Sequence, residues 1–141
     1  MIDLNGVAVL VVEDQPALLR FLGQVLEMHQ ATVFLAENAA AGLAHLQQRE
    51  GKVSLAVIDM VMPGESGLDL ASEMQRSFPD IPILYISGYV DSIAMDVIAR
   101  RSPDSVLLKP FTPQVLVDRI ALLLRKRSQF PTNPANERKA S

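Results

Sequence analysis

The sequence contains no cysteine and no tryptophan, and aromatic residues make up only 5% of its 141 residues. Without cysteine, the chain can form neither a disulfide framework nor a thiolate metal site. The longest uninterrupted apolar run, residues 7–12, is far shorter than the roughly 18–20 residues that a membrane-spanning helix needs. The amino terminus carries Asp3 and no basic cluster, so it does not resemble a signal peptide. We therefore expect a cytoplasmic protein with no membrane segment.

What the sequence does contain is typical of one globular domain, because 49% of the residues are apolar and 21% are charged. Residues 1–124 carry 8 basic and 15 acidic side chains, whereas residues 125–141 carry 5 basic side chains and 1 acidic side chain. Affinity for nucleic acid comes largely from neutralising phosphates. The acidic body therefore argues against nucleic-acid binding by this domain.

Five short apolar runs alternate with helical patterns, which is typical of βα units built on a parallel sheet. Thr112 and Pro113 begin the last helix, and after Arg127 the helical pattern gives way to a stretch rich in proline and asparagine. We predict one doubly wound α/β domain over residues 1–127 and a flexible tail or linker over residues 128–141. The predicted strands are residues 7–12, 32–36, 55–58, 83–86 and 106–108. The buried face predicted for the last helix is Val115, Leu116, Ile120, Leu123 and Leu124.

Polar residues follow four of the five predicted strands. Glu13 and Asp14 follow the first strand, and Asp59 follows the third. Ser87 follows the fourth strand, and Lys109 follows the fifth. Because right-handed crossovers bring the carboxyl ends of parallel strands to one edge, these side chains lie at the same edge of the sheet. If the strand order is 2-1-3-4-5, the first and third strands are neighbours at the switch point, where open α/β sheets bind ligands.

Three carboxylates in one pocket repel each other, by about 4 kcal/mol for a pair ~4 Å apart at an effective dielectric constant near 20. A bound cation relieves this repulsion, and oxygen ligands with open positions suit Mg²⁺. A lysine and a hydroxyl group beside the metal can bind phosphoryl oxygens, and a carboxylate can attack phosphorus. Each residue taken alone has an ordinary structural interpretation, such as a helix cap or a surface lysine. Their combination at one sheet edge predicts phosphoryl transfer.

Four motifs occur in a characteristic order along the chain. They are Val11-Val12-Glu13-Asp14, Ile58-Asp59-Met60-Val61-Met62-Pro63-Gly64 with Gly67, Ile86-Ser87-Gly88, and Leu108-Lys109-Pro110-Phe111. In this order and spacing, the chain resembles the receiver domain of two-component response regulators over nearly its whole length, from about residue 7 to residue 124. The resemblance implies a flavodoxin-like fold of five βα units in three layers.

The resemblance also implies a role for each site residue. Asp59 would accept a phosphoryl group from a phosphohistidine on a sensor kinase, and Ser87 and Lys109 would bind the phosphoryl oxygens. The metal ligands of Mg²⁺ would be Asp14, Asp59 and the backbone carbonyl group of Val61, with Glu13 holding the metal through water. The peptide bond between Lys109 and Pro110 would be cis, a geometry that is essentially confined to bonds preceding proline.

A receiver of this kind is a signalling domain and catalyses only its own phosphorylation and dephosphorylation. The added charge of about −1.5 to −2 would move the loops after the fourth and fifth strands and change the surface around helices 4 and 5. The implied partner is a sensor histidine kinase or a histidine phosphotransfer domain, and the chain would be a monomer or a weak phosphorylation-dependent dimer. The stretch Ile86-Ser87-Gly88-Tyr89 is similar to receivers attached to hybrid histidine kinases. Many receivers carry Tyr or Phe three residues before the lysine, but this chain has Val106 there.

Two alternative functions remain open from the sequence. The first is a receiver-like binding module that is not phosphorylated, which the full set of site residues argues against. The second is a phosphohydrolase with an aspartate nucleophile, and such enzymes resemble each other in an Asp-x-Asp motif directly after the first strand. Here Glu13 and Asp14 end that strand, and Asp59 is followed by Met60 and Val61, so the general acid of that motif is missing.

Overall fold

The computed structural model describes residues 1–60, 67–88 and 93–129. Its strands are β1 (Ala8–Val12), β2 (Thr32–Ala36), β3 (Leu55–Asp59), β4 (Ile83–Ser87) and β5 (Val106–Leu108). Its helices are α1 (Pro16–Met28), α2 (Ala39–Gln48), α3 (Gly67–Ser77), α4 (Ile93–Arg101) and α5 (Pro113–Gln129), with a short 3₁₀ helix over Pro103–Ser105. The alternation of strands and helices matches the prediction.

The five strands form one sheet in the order β2-β1-β3-β4-β5, and every neighbouring pair is parallel. The register sets Val12 of β1 opposite Ile58 of β3, and Asp59 of β3 opposite Ile86 of β4. The predicted α/β fold with strand order 2-1-3-4-5 is therefore confirmed. The switch point lies between β1 and β3, as the sequence indicated.

Two apolar layers cover the two faces of the sheet. Val9 and Val11 of β1 point into a core shared with α1 and α5, whereas Leu10 and Val12 point into a core shared with α2 and α3. All five residues of β3, and all five of β4, are buried. This explains why the central strands are almost continuously apolar.

Local signals in the sequence set the helix starts. The Asn38 side chain accepts a hydrogen bond of 2.7 Å from the backbone N–H of Ala41, and Thr112 Oγ1 accepts one of 3.1 Å from the backbone N–H of Val115. Each bond satisfies a backbone donor that has no partner within its own helix. Among the described residues, no helix is long and apolar enough to cross a membrane.

One side of α5 was predicted wrongly. Val115 is 41% exposed, whereas Val117 is fully buried against the sheet together with Leu116 and Ile120. At 100° per residue, the buried direction lies between Leu116 and Val117, so Val115 faces away from it. Leu123 is buried and Leu124 packs against the same core, so the rest of the predicted face is confirmed.

Candidate functional site

The polar residues singled out in the sequence meet at the carboxyl edge of the sheet. Asp59 and Ser87 are the last residues of β3 and β4, one residue later than the predicted strand ends. Glu13 directly follows β1, and Lys109 directly follows β5. Glu13, Asp59 and Ser87 are exposed by only 1%, 4% and 1%, although all three are polar. The sheet therefore carries buried polar groups at this edge and apolar groups along its length.

Backbone hydrogen bonds hold this edge beyond the regular strands. The N–H of Glu13 donates to the carbonyl oxygen of Ala36 over 3.0 Å. The N–H of Met60 donates to the carbonyl oxygen of Ile86 over 2.9 Å. The N–H of Lys109 donates to the carbonyl oxygen of Ser87 over 2.8 Å. These bonds extend the parallel ladders and fix the positions from which the site side chains start.

Three carboxylates form the acidic part of the site. Glu13, Asp14 and Asp59 each offer an oxygen atom, and these atoms lie within 4.8 Å of one another. Glu13 and Asp59 are buried and Asp14 is half-buried. Glu13 Oε2 also accepts a hydrogen bond of 3.2 Å from the backbone N–H of Gln15. The cluster combines low exposure with close spacing, which is costly for ionised carboxylates.

Lys109 lies between two of these carboxylates. Its Nζ atom is 3.4 Å from Asp59 Oδ2 and 3.5 Å from Glu13 Oε1. The lysine side chain is 29% exposed, whereas both acidic partners are almost completely buried. One lysine charge cannot balance three carboxylates, so the site keeps an excess of negative charge that favours a cation.

Burial raises the pKa of Glu13 from its ordinary value of 4.5 to about 7. Burial is the largest cause of this rise, and a hydrogen bond shared with Asp59 also contributes to it, because that bond requires a proton between two carboxyl groups. The hydrogen bond from the backbone N–H of Gln15 acts in the opposite direction. Without a bound metal, Glu13 therefore holds a proton over part of the neutral pH range.

The donor set fits Mg²⁺. All three side chains offer carboxylate oxygens, which are the ligands that this hard cation prefers, and their spacing lets them face one ion. The fourth predicted ligand, the backbone carbonyl group of Val61, lies outside the described residues. The structure thus brings Glu13, Asp14, Asp59 and Lys109 together, and it places Ser87 at the same edge of the sheet.

A cis peptide bond and a buried aromatic ring also lie near this edge of the sheet. The peptide bond between Lys109 and Pro110 is cis, as the resemblance implies. Val106 is half-buried in β5 and pairs with Tyr85 of β4, whose ring is buried. Burial raises the pKa of the Tyr85 hydroxyl group. The aromatic side chain beside Val106 is therefore that of Tyr85, and it lies on β4, whereas many receivers carry an aromatic residue on β5 in place of Val106.

The comparison with protein families assigns the class. The sequence model of the response regulator receiver domain matches residues 9–121, so the chain belongs to this family of two-component signalling domains. Over 117 residues, the chain is 33% identical to the response regulator receiver protein CpdR of Brucella abortus (strain 2308), and the match covers 82% of this chain and 95% of CpdR.

Other relatives are longer proteins. The chain is 32% identical over 130 residues to the sensor kinase CckA of Brucella abortus (strain 2308), covering 89% of this chain but 13% of CckA. It is 33% identical over 137 residues to the transcriptional regulatory protein AruR of Pseudomonas aeruginosa (strain PAO1), covering 92% of this chain and 54% of AruR. The chain thus spans about half of the length of AruR and a much smaller share of CckA.

Solved structures agree on the fold. A CheY-like response regulator receiver domain from Methanospirillum hungatei JF-1 superimposes with a TM-score of 0.76 at 24% identity, covering 87% of this chain and 97% of that chain. A receiver domain from Clostridium thermocellum gives a TM-score of 0.75 at 22% identity, covering 87% of this chain and 98% of that one. At these identities the likeness supports the fold and does not extend to the roles of single residues.

Proposed function

We propose that this receiver accepts a phosphoryl group on Asp59 from a phosphohistidine of a sensor histidine kinase or a histidine phosphotransfer domain. The observation that carries the proposal is the position of Lys109 Nζ between the buried carboxylates of Asp59 and Glu13. A cation aimed at a buried carboxylate, with two more acidic groups beside it, suits the binding of a phosphoryl group to that carboxylate. Membership of the receiver family supports the same assignment.

The chemical step follows from the charges. A carboxylate oxygen of Asp59 attacks the phosphorus atom, the P–N bond to the donor imidazole breaks, and the imidazole nitrogen leaves with the electron pair and takes up a proton. The product is an acyl phosphate on Asp59. Lys109 would bind one phosphoryl oxygen and the hydroxyl group of Ser87 another, which the closeness of Lys109 Nζ to Asp59 and the position of Ser87 at the end of β4 support.

Mg²⁺ would be held by Asp14 and Asp59, with Glu13 acting through water and Val61 contributing its backbone carbonyl group. When bound, the metal neutralises the charge of the carboxylates and of the incoming phosphoryl group. The observed spacing of the three carboxylates supports this set of ligands. The part assigned to Val61 rests on the family resemblance.

Phosphorylation would then change the surface around α4 and α5. The new charge and three acceptor oxygens on Asp59 would attract Lys109, which starts the connection after β5, and Ser87, which directly precedes the connection after β4. Those connections lead into α5 and α4, so a displacement at the site is passed to the two helices. Because Val106 replaces the common aromatic residue, this signalling does not rely on an aromatic side chain at that position.

The setting of the domain is also proposed. We assign the receiver to residues 1–127 and a tail or linker to residues 128–141, in a cytoplasmic signalling protein that binds no nucleic acid through this domain. The sensor kinase CckA is similar over 89% of this chain, which supports a phosphorelay in which Asp59 exchanges phosphate with a histidine. The domain would act as a monomer or a weak phosphorylation-dependent dimer, and as a signalling domain that turns over no free metabolite.

Intact-protein mass tests the proposal. The chain is incubated with acetyl phosphate and Mg²⁺, with and without a chelator. We expect a metal-dependent gain of one phosphoryl group. No gain from acetyl phosphate, followed by no gain from a panel of phosphorylated histidine kinases, would instead support a binding module. Release of many phosphates per chain would support a phosphohydrolase.

A further inference from the structure

Gly67, the first residue of α3, is buried directly against the end of β3. A Cβ atom added to it would lie 2.4 Å from the carbonyl oxygen of Asp59, 3.0 Å from Ile58 Cγ2 and 3.1 Å from Met60 Cα. Real Cβ atoms essentially never approach another atom within 3.0 Å. The nearest atom belongs to the backbone of the proposed phosphoacceptor, so no side-chain rotation relieves the contact.

We infer that Gly67 is a positioning residue for Asp59. Its lack of a side chain lets α3 begin against the peptide group that joins Asp59 to Met60, and this close approach sets where the Asp59 carboxylate stands relative to Glu13 and Lys109. The inference rests on the proposed function, because it assigns Gly67 to the placement of the carboxylate that would accept phosphate and bind Mg²⁺.

The surroundings leave little freedom for another residue at this position. The N–H of the same peptide group donates to the carbonyl oxygen of Ile86, so the planar group cannot turn away without losing that bond. The helix cannot retreat easily either, because Leu70 and Met74 of α3 are buried in the core at 3% and 0% exposure. A side chain on residue 67 would therefore displace the end of β3 at least in part.

A small displacement matters at this place in the fold. Glu13 directly follows β1 and Lys109 directly follows β5, so neither belongs to the strand that a side chain on residue 67 would displace. Mg²⁺ demands ligand distances of about 2.0–2.1 Å in near-ideal octahedral geometry. A misplacement of about 1 Å can lower a reaction rate by about a hundredfold. The added methyl group of Gly67→Ala should therefore disturb metal binding and phosphorylation together.

The test compares Gly67→Ala with two matched variants. Gly23→Ala also adds a methyl group at a buried helical glycine, but there the three atoms nearest to the new one all belong to the side chain of Leu35, with Cδ2 at 3.1 Å. Leu46→Ala removes a fully buried side chain, and Leu46 accepts a backbone hydrogen bond from Gly51 near the amino end of β3. Leu46→Ala should therefore lower stability near the amino end of β3, whereas the site lies at the carboxyl end of that strand.

Three quantities are measured for each variant and for the unchanged chain. They are the midpoint of thermal unfolding without metal, the dissociation constant of Mg²⁺ by calorimetry, and the rate of phosphoryl uptake from acetyl phosphate by intact mass. We expect Gly67→Ala to weaken Mg²⁺ binding and to slow uptake by about tenfold or more. Gly23→Ala and Leu46→Ala should keep both quantities within about twofold of the unchanged chain, even where their unfolding midpoints fall.

Each result separates the two proposals. If Gly67→Ala binds Mg²⁺ and takes up phosphate as well as Leu46→Ala does, the positioning role is wrong. If the unchanged chain binds Mg²⁺ but takes up no phosphoryl group from any donor, the proposed function fails, and the Mg²⁺ dissociation constants still decide the role of Gly67. A Gly67→Ala chain that stays unfolded even in a stabilising osmolyte would make the glycine a requirement for folding and overturn its assignment to the site.

Discussion

Lys109 Nζ lies 3.4 Å from Asp59 Oδ2. Lys109 follows β5 and Asp59 ends β3, and β4 lies between these two strands in the sheet. The lysine side chain therefore reaches across the end of β4, past the residue that would bind a second phosphoryl oxygen, Ser87. A change of charge on Asp59 acts directly on the chain that connects β5 to α5. The contact gives the proposed switch a physical link between the site and one of its helices.

Replacing Asp59 by asparagine tests the nucleophile. The amide keeps the shape of the carboxylate and removes one of three clustered negative charges, so the fold should survive. We expect no phosphoryl uptake from acetyl phosphate, and a free energy of unfolding within about 1 kcal/mol of the original value or above it. Intact mass and urea unfolding measure the two quantities.

Asp69→Asn, at an exposed position in the first turn of α3, is the matched control and should be phosphorylated normally. Stable phosphate on the Asp59→Asn chain would identify a different nucleophile.

Replacing Lys109 by alanine tests the link between the site and the helices. Lys109 would bind a phosphoryl oxygen, whereas Mg²⁺ would be held by carboxylates, so the loss should fall mainly on signalling. We expect amide chemical shifts in α4 and α5 to change much less on phosphorylation than in the unchanged chain, while Mg²⁺ affinity changes by less than about tenfold. Lys52→Ala removes an exposed lysine and serves as the control. A phosphorylation-induced shift as large as that of the unchanged chain would contradict the role given to Lys109.

The fold could be predicted because its signals are local or periodic. Apolar runs of about five residues mark the strands, and caps such as Asn38 and Thr112 mark the helix starts. The error at Val115 has the same origin, because neighbouring apolar residues on α5 allow more than one buried face. Packing against the sheet selects Val117, and a single helix sequence does not contain that information.

The shared position of the candidate site residues could also be predicted, because parallel strands bring their carboxyl ends to one edge. The internal arrangement of the site could not. The contact of Lys109 with both Glu13 and Asp59 depends on side-chain reach across the sheet, and the raised pKa of Glu13 depends on burial. The sequence pattern indicates no role for Gly67 beyond its place in a motif. Its approach to the Asp59 backbone becomes visible only when α3 is packed on β3.

Mg²⁺ should stabilise the folded chain, because the unfolded chain has no preformed acidic cluster. At a concentration one hundred times the dissociation constant, a ligand of the folded state contributes about 2.7 kcal/mol. We therefore expect Mg²⁺ to raise the midpoint of thermal unfolding and a chelator to reverse the change. In Asp14→Asn, which lacks one proposed ligand, most of this increase should be lost, whereas Asp69→Asn should keep it. An equal Mg²⁺-induced increase in Asp14→Asn and in the unchanged chain would remove Asp14 from the ligand set.

The raised pKa of Glu13 predicts how stability depends on pH in the absence of metal. Because the folded chain holds this proton up to about pH 7 and the unfolded chain releases it near its ordinary value of 4.5, the folded state binds more protons between these values. The stabilisation that this proton gives is complete below the pKa of Glu13 in the unfolded chain, and it is lost as pH rises through the pKa of Glu13 in the folded chain. We expect the free energy of unfolding to fall by roughly 1–3 kcal/mol between about pH 5 and pH 8.

Glu13→Gln separates this effect from the titration of other groups. The amide cannot ionise, so urea unfolding of this variant should show a much smaller fall over the same pH range, whereas Glu27→Gln, at an exposed position on α1, should follow the unchanged chain. Saturating Mg²⁺ should oppose the fall in the unchanged chain, because the cation binds the ionised form of the cluster and competes with the proton. If Glu13→Gln lost as much stability with rising pH as the unchanged chain does, the proton responsible would belong to another group, and Glu13 would enter the metal site already ionised.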